Sequence, residues 1–141
     1  QGGMLHSFSK EFRYGLGIDH NSRMINVANK IKSHNSAYNL DFYVFDLEKD
    51  DLDYIMDLLP ENKIDIVLLL SVCMWINNWK SVIKFSYDHS EKLIFESNGK
   101  PSQQEEQIAY LGTLYKKVDV IHEFSQDDPG QKSRKLLICY K

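Results

Sequence analysis

Two aspartates follow apolar segments at positions where a carboxylate could bind a nucleotide. Asp19 closes Tyr14–Ile18, and Asp46 closes Leu40–Phe45. A carboxylate at a strand end can accept both hydrogen bonds of a ribose diol, and one beside Leu47 can accept from an adenine amino group. Taken singly, each acid is also explained as a helix cap or a solvated loop residue. Two such acids about one βα unit apart favour a nucleotide ligand.

The residues after a third apolar segment, Ile64–Leu70, are a further place for chemistry. Cys73 would need a neighbouring base to act as a nucleophile. None is adjacent, so we expect a buried, inert thiol. Trp75 and Trp79 are four residues apart on a predicted helix. We expect them to pack in the core, and a pocket wall is the alternative.

Other kinds of site are not indicated by the sequence. The five histidines lack HxxxH and HxH spacing, so we expect no metal site. Walker A, complete GxGxxG and GxSxG sequences are absent. The basic residues Lys132, Arg134 and Lys135 are most simply a solvated turn.

Length, charge and composition limit the classes of protein to which the chain can belong. The chain has 141 residues with a net charge of -3, and 43% are hydrophobic. This is an ordinary globular mixture that fits a single domain, residues 1–141. Mild acidity makes nucleic acid an improbable partner, and the longest apolar run is shorter than the roughly 20 residues of a membrane span. Two cysteines without a disulfide pattern favour the cytoplasm.

Apolar segments alternate with amphipathic ones along the chain. Such alternation predicts an α/β fold: a three-layer α/β/α sandwich with a doubly wound, mostly parallel sheet. The last two strands are joined by the polar turn 125–133, so we expect an antiparallel C-terminal strand. The predicted strands are Tyr14–Ile18, Leu40–Phe45, Ile64–Leu70, Leu93–Phe95, Val118–Phe124 and Lys135–Tyr140.

Four helices are predicted between these strands. The first begins after an N-cap at Asn21 or Ser22 and buries Met24, Val27, Ala28 and Ile31. The second and third cover 51–59 and 75–87. The fourth begins at Ser102, with Glu105 in a capping-box position. Residues from Met4 onward resemble the first turns of a further helix. A Gly-Gly pair before it would let a ligand approach the helix N-terminus, although a purification-tag remnant would also explain the pair.

In order and spacing, these segments resemble the class I S-adenosylmethionine-dependent methyltransferases. Gln1-Gly2-Gly3-Met4-Leu5 resembles the end of that family's first motif, and Gly17 to Ile25 resembles the second. Phe45-Asp46-Leu47 resembles the third motif. Asp65 to Val72 resembles the fourth strand, whose end borders the methyl-transfer site.

The resemblance implies a cofactor, S-adenosyl-L-methionine, and a set of residues that would bind it. Asp19 would hold the ribose, the residues after it would flank the adenine, and Asp46 would meet the adenine amino group. The implied cofactor-binding residues are Gly2, Gly3, Asp19, His20, Met24, Asp46, Leu47 and Ser71. The family's first strand is missing from this chain, so we expect natural sequence ahead of Gln1.

The implied activity is methyl transfer to a small-molecule or glycan acceptor that the sequence does not identify. No residue stands out as a catalytic base, and Glu96 and His20 are candidates by position alone. Two other functions stay open. A nicotinamide-dependent Rossmann oxidoreductase would also use Asp19, and a non-catalytic methyltransferase-like interaction module would explain the incomplete first motif. The sequence leaves the oligomeric state undetermined.

Overall fold

A computed structural model describes residues 2–125, 130 and 133–141. The chain forms two compact units, Gln1–Pro60 and Glu61–Lys141. The single domain expected from the length therefore remains a prediction. Gln1, Lys132 and the Asp127-Asp128-Pro129 part of the predicted turn lie outside the described residues.

The first unit contains two parallel strands and three helices. Strands β1 and β2 pair in register, with Gly15 opposite Leu40 and Asp19 opposite Val44. The elements of this unit are α1 (Gly3–Ser7), β1 (Gly15–Asp19), α2 (Ser22–Asn35), β2 (Leu40–Val44) and α3 (Tyr54–Asp57).

The core of the first unit forms between α2 and β2. Its buried members are Ile25, Ala28, Leu40 and Phe42. The predicted apolar face of α2 was wrong in one respect: Val27 is 39% exposed, and Ile25 is buried in its stead. The core-facing side of the helix is rotated from the predicted stripe, because its orientation depends on contact with Phe42 of β2 and not only on its own periodicity.

The second unit contains a four-stranded sheet in the order β3-β4-β6-β5. Strands β3 and β4 are parallel, whereas β6 is antiparallel to both β4 and β5. The elements are β3 (Ile64–Leu70), a 3₁₀ turn (Cys73–Trp75), α4 (Trp79–His89), β4 (Ser90–Glu96), α5 (Pro101–Leu114), β5 (Lys117–His122) and β6 (Leu136–Tyr140).

These elements confirm the α/β fold class and the antiparallel C-terminal strand. All six predicted strands are present, with ends that differ by a few residues. The helix boundaries differ more. The helix predicted at 51–59 is a single turn, Tyr54–Asp57, and the one predicted at 75–87 begins at Trp79.

The start of α5 also differs from the prediction. Its N-cap is Lys100 and Pro101 is the first helical residue, so Ser102 is not the cap. The Gln103 side-chain oxygen accepts a hydrogen bond from the Lys100 N–H over 2.9 Å. Pro101 explains this start, because proline favours the first helical position, where its missing N–H has no intrahelical partner to lose.

A doubly wound sheet with helices on both sides implies apolar strands that are buried on both faces, but one face of β3 is partly exposed. Ile66 is 49% exposed and Leu68 is 38% exposed, both on one face of the strand. Among the described residues, β1 and β3 each pair with a neighbouring strand on one side only. The missing first strand remains a prediction.

Candidate functional site

The pairing of β1 with β2 places the two candidate acids at one edge of the first unit. Asp19 lies opposite Val44, and the Phe45 N–H donates to the Asp19 carbonyl oxygen over 3.0 Å. Asp46 is the next residue along the chain. In parallel strands the carboxyl ends meet at the same edge, which is where α/β sheets bind ligands.

One of the two oxygens of the Asp19 carboxylate accepts a hydrogen bond from the loop that follows β1. Oδ1 accepts from the Asn21 N–H over 2.8 Å, and the Asn21 side chain in turn caps α2 by accepting from the Arg23 N–H. The side chain of Asp19 is 37% exposed. Among the described residues nothing donates a hydrogen bond to Oδ2, so this oxygen can accept one from a ligand.

His20 lies beside this carboxylate and reaches the solvent. Its Nδ1 is 3.6 Å from Asp19 Oδ1, and its side chain is 77% exposed. His20 also helps to lower the pKa of the Asp46 carboxyl, as a minor electrostatic contribution. The structure therefore places Asp19, His20 and Asp46 at the same edge of the first unit.

The Asp46 carboxylate organises the loop that follows β2. Oδ2 accepts from Lys49 Nζ over 2.8 Å, and Oδ1 accepts from the Glu48 N–H over 3.0 Å. The Lys49 hydrogen bond is the main cause of a lowered pKa at Asp46, and the Glu48 N–H is the second. Each carboxylate oxygen has two lone pairs, so these bonds leave capacity for a further donor.

The other predicted cofactor residues of this unit differ in surroundings. Met24 and Leu47 are half-buried. Gly2 has a φ of 69°, and a Cβ there would lie 2.5 Å from Cε1 of Phe42. Packing therefore requires a glycine at position 2 whether or not a ligand binds. A Cβ on Gly3 would meet nothing within 4 Å, so a ligand has room to approach there.

Ser71, in the second unit, ends β3 in an unusual conformation. Its φ is 57°, in the left-handed region that non-glycine residues seldom adopt. The Ser71 hydroxyl donates to the Glu96 carboxylate and accepts from Arg134 Nη1 over 2.6 Å. Side-chain bonds from two other segments hold this turn.

The prediction that Arg134 belongs to a solvated turn was wrong. Its side chain is 7% exposed and forms an ion pair with Glu96 at 3.4 Å. Nη2 donates to Ser125 Oγ over 2.9 Å. Lys135 does face solvent, where it pairs with Glu123. The sequence does not indicate which of these basic residues is buried. Arg134 is buried because it pairs with Glu96, an acid 38 positions away.

A group of buried polar side chains between β4 and α5 was also missed. Ser97 Oγ donates to Gln104 Oε1 over 2.8 Å. Gln107 accepts from the Asn98 N–H and donates to the Asn98 carbonyl oxygen, at 3.1 and 3.0 Å. Sequence reasoning missed them because glutamine is usually exposed. The available signal was that Gln104 and Gln107 share a helix face with Leu111.

Cys73 and Trp75, two candidate residues after β3, differ in burial. Cys73 is buried, as expected, and burial raises the pKa of its thiol to about 12. Trp75 is 70% exposed in the 3₁₀ turn, so the core role predicted for it was wrong. Trp75 and Trp79 are not on one helix.

Within the described residues, no group of three or more His, Cys, Asp or Glu side chains is placed to hold a metal ion. The same part of the chain has no helix with the length and apolar character needed to cross a membrane.

Comparison with known proteins adds the fold relationship. No protein-family profile matches the chain, and no curated protein matches it. A structure of WbdD with the kinase inhibitor LY294002 is similar over 99% of this chain and 34% of that one, with 20% identity and a TM-score of 0.75. A further structure of WbdD, a bifunctional kinase-methyltransferase, is similar over 99% of this chain and 32% of that one, with 19% identity and a TM-score of 0.67.

Two further structures have the same fold. The N-terminal domain of EvdMO1 with SAH bound matches over 89% of this chain and 63% of that one, with 12% identity and a TM-score of 0.68. YcgJ from Bacillus subtilis matches over 99% and 85%, with 11% identity and a TM-score of 0.64. This chain has their fold. It spans about a third of WbdD and under two thirds of that EvdMO1 domain.

Proposed function

We propose that the chain is an S-adenosylmethionine-dependent methyltransferase domain that acts on a small-molecule or glycan acceptor. The observation that carries the proposal is the Asp19 carboxylate, which retains an unused oxygen at the strand edge that it shares with Asp46. Structures with the same fold include one described as a kinase-methyltransferase and one that binds SAH.

The residues of the first unit fit the parts of the cofactor. Asp19 accepts the ribose hydroxyl hydrogen bonds through Oδ2, and Asp46 accepts from the adenine amino group through a free lone pair. Met24, Leu47 and the exposed His20 ring provide surfaces for the adenine. The open space at Gly3 admits the methionine part, whereas Gly2 serves the packing of α1 on Phe42.

When bound, S-adenosylmethionine supplies an electrophilic methyl group. The protein therefore needs mainly to position the acceptor in line with the methyl group and, for some acceptors, to remove a proton. Ser71, at the end of β3, stays among the candidate cofactor-binding residues. Glu96 and His20 are candidate bases by position alone, and the Glu96 carboxylate is already engaged by the Ser71 hydroxyl and by Arg134.

Calorimetric titration with S-adenosylhomocysteine tests the proposal. Asp19→Ala should weaken binding about tenfold to a hundredfold, the loss expected for charge-assisted hydrogen bonds of about 1.5–3 kcal/mol. Asp57→Ala, which removes an exposed acid from α3 of the same unit, should bind like the parent protein. Absence of binding in the parent protein, or preferred binding of a nicotinamide dinucleotide, would refute the proposal.

A further inference from the structure

The junction between β4 and α5 contains the one Asn-Gly pair of the sequence, Asn98-Gly99. In such a pair the glycine has no side chain to shield its backbone nitrogen. That nitrogen can attack the side-chain carbon Cγ of the asparagine, and the amide group is then lost as ammonia. Among the asparagines of this chain, Asn98 is therefore the one whose local sequence most favours deamidation.

The fold restrains the backbone of Asn98 through a single side chain of α5. Gln107 accepts from the Asn98 N–H over 3.1 Å and donates to the Asn98 carbonyl oxygen over 3.0 Å. Gln107 is itself only 2% exposed. Attack by the Gly99 nitrogen closes a five-membered ring that includes the Asn98 backbone, so the segment must be free to rearrange. The two hydrogen bonds from Gln107 oppose that rearrangement for as long as α5 is in place.

The side chain of Asn98 is enclosed as well. It is 1% exposed, and its Oδ1 accepts from the Met74 N–H over 3.0 Å. Its amide nitrogen, Nδ2, has no hydrogen-bond partner among the described residues. The described surroundings therefore supply one donor to the oxygen of the carboxamide and no partner at the position of its nitrogen. Burial also keeps water away from Cγ.

Packing explains why a glycine follows this asparagine. Gly99 has a φ of 97°, in the left-handed region, and a Cβ there would lie 2.7 Å from Gln103 Oε1. The Gly99 carbonyl oxygen accepts from Gln104 Nε2 over 2.9 Å. A residue with a side chain would be strained at position 99. The tight turn into α5 therefore requires the same glycine that makes Asn98 chemically vulnerable.

We infer that Asn98 is a deamidation site that the folded β4–α5 junction protects and that opening of this junction exposes. The Gly99 nitrogen forms a bond to Cγ, the bond from Cγ to Nδ2 breaks, and the proton of the Gly99 N–H leaves with Nδ2 as ammonia. Water then opens the resulting succinimide ring to aspartate or isoaspartate. The inference is independent of the proposed function, because it depends only on contacts within the second unit.

The product does not fit the folded junction. An aspartate at position 98 places a carboxylate oxygen where Nδ2 lies, and no described residue donates a hydrogen bond at that point. Burying a charge without a partner is strongly unfavourable. Isoaspartate instead lengthens the backbone by one carbon, which displaces the groups that Gln107 binds. Deamidation therefore makes a transient opening of the junction permanent.

A variant of α5 tests whether the junction provides the protection. Gln107→Met keeps a long side chain at position 107 and removes both hydrogen bonds to the Asn98 backbone. Deamidation of the native variant should be faster than that of the native parent protein by at least about fivefold, the effect of one lost hydrogen bond on the opening equilibrium. Glu105→Met, at an exposed position of the same helix, is the matched control and should leave the rate unchanged. An unchanged rate in Gln107→Met, or an equal rise in the control, would contradict the inference.

Asn98→Asp reproduces the aspartate product and tests whether the junction accepts it. We expect a lower midpoint of urea unfolding than in the parent protein, because the new carboxylate is buried without a donor for one of its oxygens. Asn62→Asp, at an exposed position of the same unit, should leave the midpoint nearly unchanged. A midpoint for Asn98→Asp equal to that of the parent protein would show that the product fits, and the opening would then not be permanent.

Peptide mass spectrometry of the full chain gives the decisive measurement. Samples are incubated at pH 8 with and without urea, and the conversion of Asn98 to aspartate and isoaspartate is followed over time. The native rate should be at least about tenfold lower than the rate in urea, because an unfavourable local opening must precede the reaction. Equal rates in the two states, or no deamidation of Asn98 in urea, would overturn the inference.

Discussion

Arg134 and Ser71 are 63 positions apart in the chain, and the guanidinium Nη1 of Arg134 donates to the Ser71 hydroxyl oxygen over 2.6 Å. Both side chains also contact the Glu96 carboxylate. The three residues connect the end of β3, the end of β4 and the segment before β6. This link holds Ser71 in its left-handed conformation.

Removing the arginine should destabilise the protein strongly. Arg134→Met leaves Glu96, whose side chain is only 18% exposed, without its cation. Breaking a buried pair on one side costs about 3–5 kcal/mol, and we expect a loss near the lower end. Urea denaturation measures it. Lys84→Met, which breaks an exposed pair with Asp88, should cost less than about 0.5 kcal/mol. A loss below about 1 kcal/mol for Arg134→Met would show that the pair does not hold this turn.

Gly2 and Gly3, at the start of α1, should respond differently to substitution by alanine. Gly2→Ala forces a side chain into a left-handed conformation against Phe42 and should cost about 2 kcal/mol. Gly3→Ala meets open space at the helix start and should be neutral or stabilising by about 0.5 kcal/mol. Thermal unfolding of the two variants is the measurement. Equal losses would contradict the packing explanation for Gly2.

The Gly3→Ala variant also separates cofactor binding from stability, because the proposed cofactor would occupy the open space at Gly3. Gly3→Ala should weaken S-adenosylhomocysteine binding at least severalfold while the melting temperature stays at or above that of the parent protein. Calorimetry below the melting transition measures this. Unchanged affinity would remove Gly3 from the proposed cofactor site.

Lys49 should control the titration of Asp46. Its hydrogen bond is the largest cause of the lowered Asp46 pKa, so Lys49→Met should raise this pKa toward the ordinary 3.8. Because the folded pKa is depressed, the associated stabilisation is present above pH 3.8 and disappears as the pH falls through the lower folded value. Carbon-detected NMR titration of the carboxyl group measures the change. Lys30→Met, on the exposed side of α2, should leave the Asp46 pKa where it is.

The two cysteines should be unreactive in the folded protein. Burial raises the pKa of Cys73 and of Cys139 from 9.0 to about 12, so almost no thiolate is present at pH 8. We expect a disulfide reagent such as DTNB to label neither thiol in the native state and both after denaturation in urea. Rapid labelling of either native thiol would contradict its burial.

The raised pKa values of the two thiols also make the free energy of unfolding depend on pH. Between pH 9 and 12 the folded thiols retain protons that the unfolded chain releases, so the free energy of unfolding should fall as the pH rises through this range. The slope approaches about 1.4 kcal/mol per pH unit for each thiol. Unfolding of the Cys73→Ala, Cys139→Ala double variant should lose this component. An identical slope in the parent protein and the variant would show that the thiols do not cause it.

Local sequence determined the elements and the positions of the candidate acids. Apolar runs such as Ile64–Leu70 fold as strands at the predicted bounds, because β-branched and other apolar side chains fit the pleated, partly buried surface of a sheet. Asp19 and Asp46 lie at strand ends because each directly follows such a run, and parallel pairing of β1 with β2 then brings them together. The sequence predicted the cap of α2 at Asn21 or Ser22, and the structure has Asn21, whose hydrogen-bond partner is only two residues away.

Tertiary structure decided what depends on distant partners. Arg134 is buried because Glu96 and Ser71 are there to bind it, and Gln107 because its amide pairs with the Asn98 backbone. Trp75 is exposed because the chain forms a 3₁₀ turn before α4 begins. Residue type and spacing describe what a side chain could do, but the burial of a polar group depends on whether a complementary group from another segment offsets its lost hydration. That information exists only once the segments have packed.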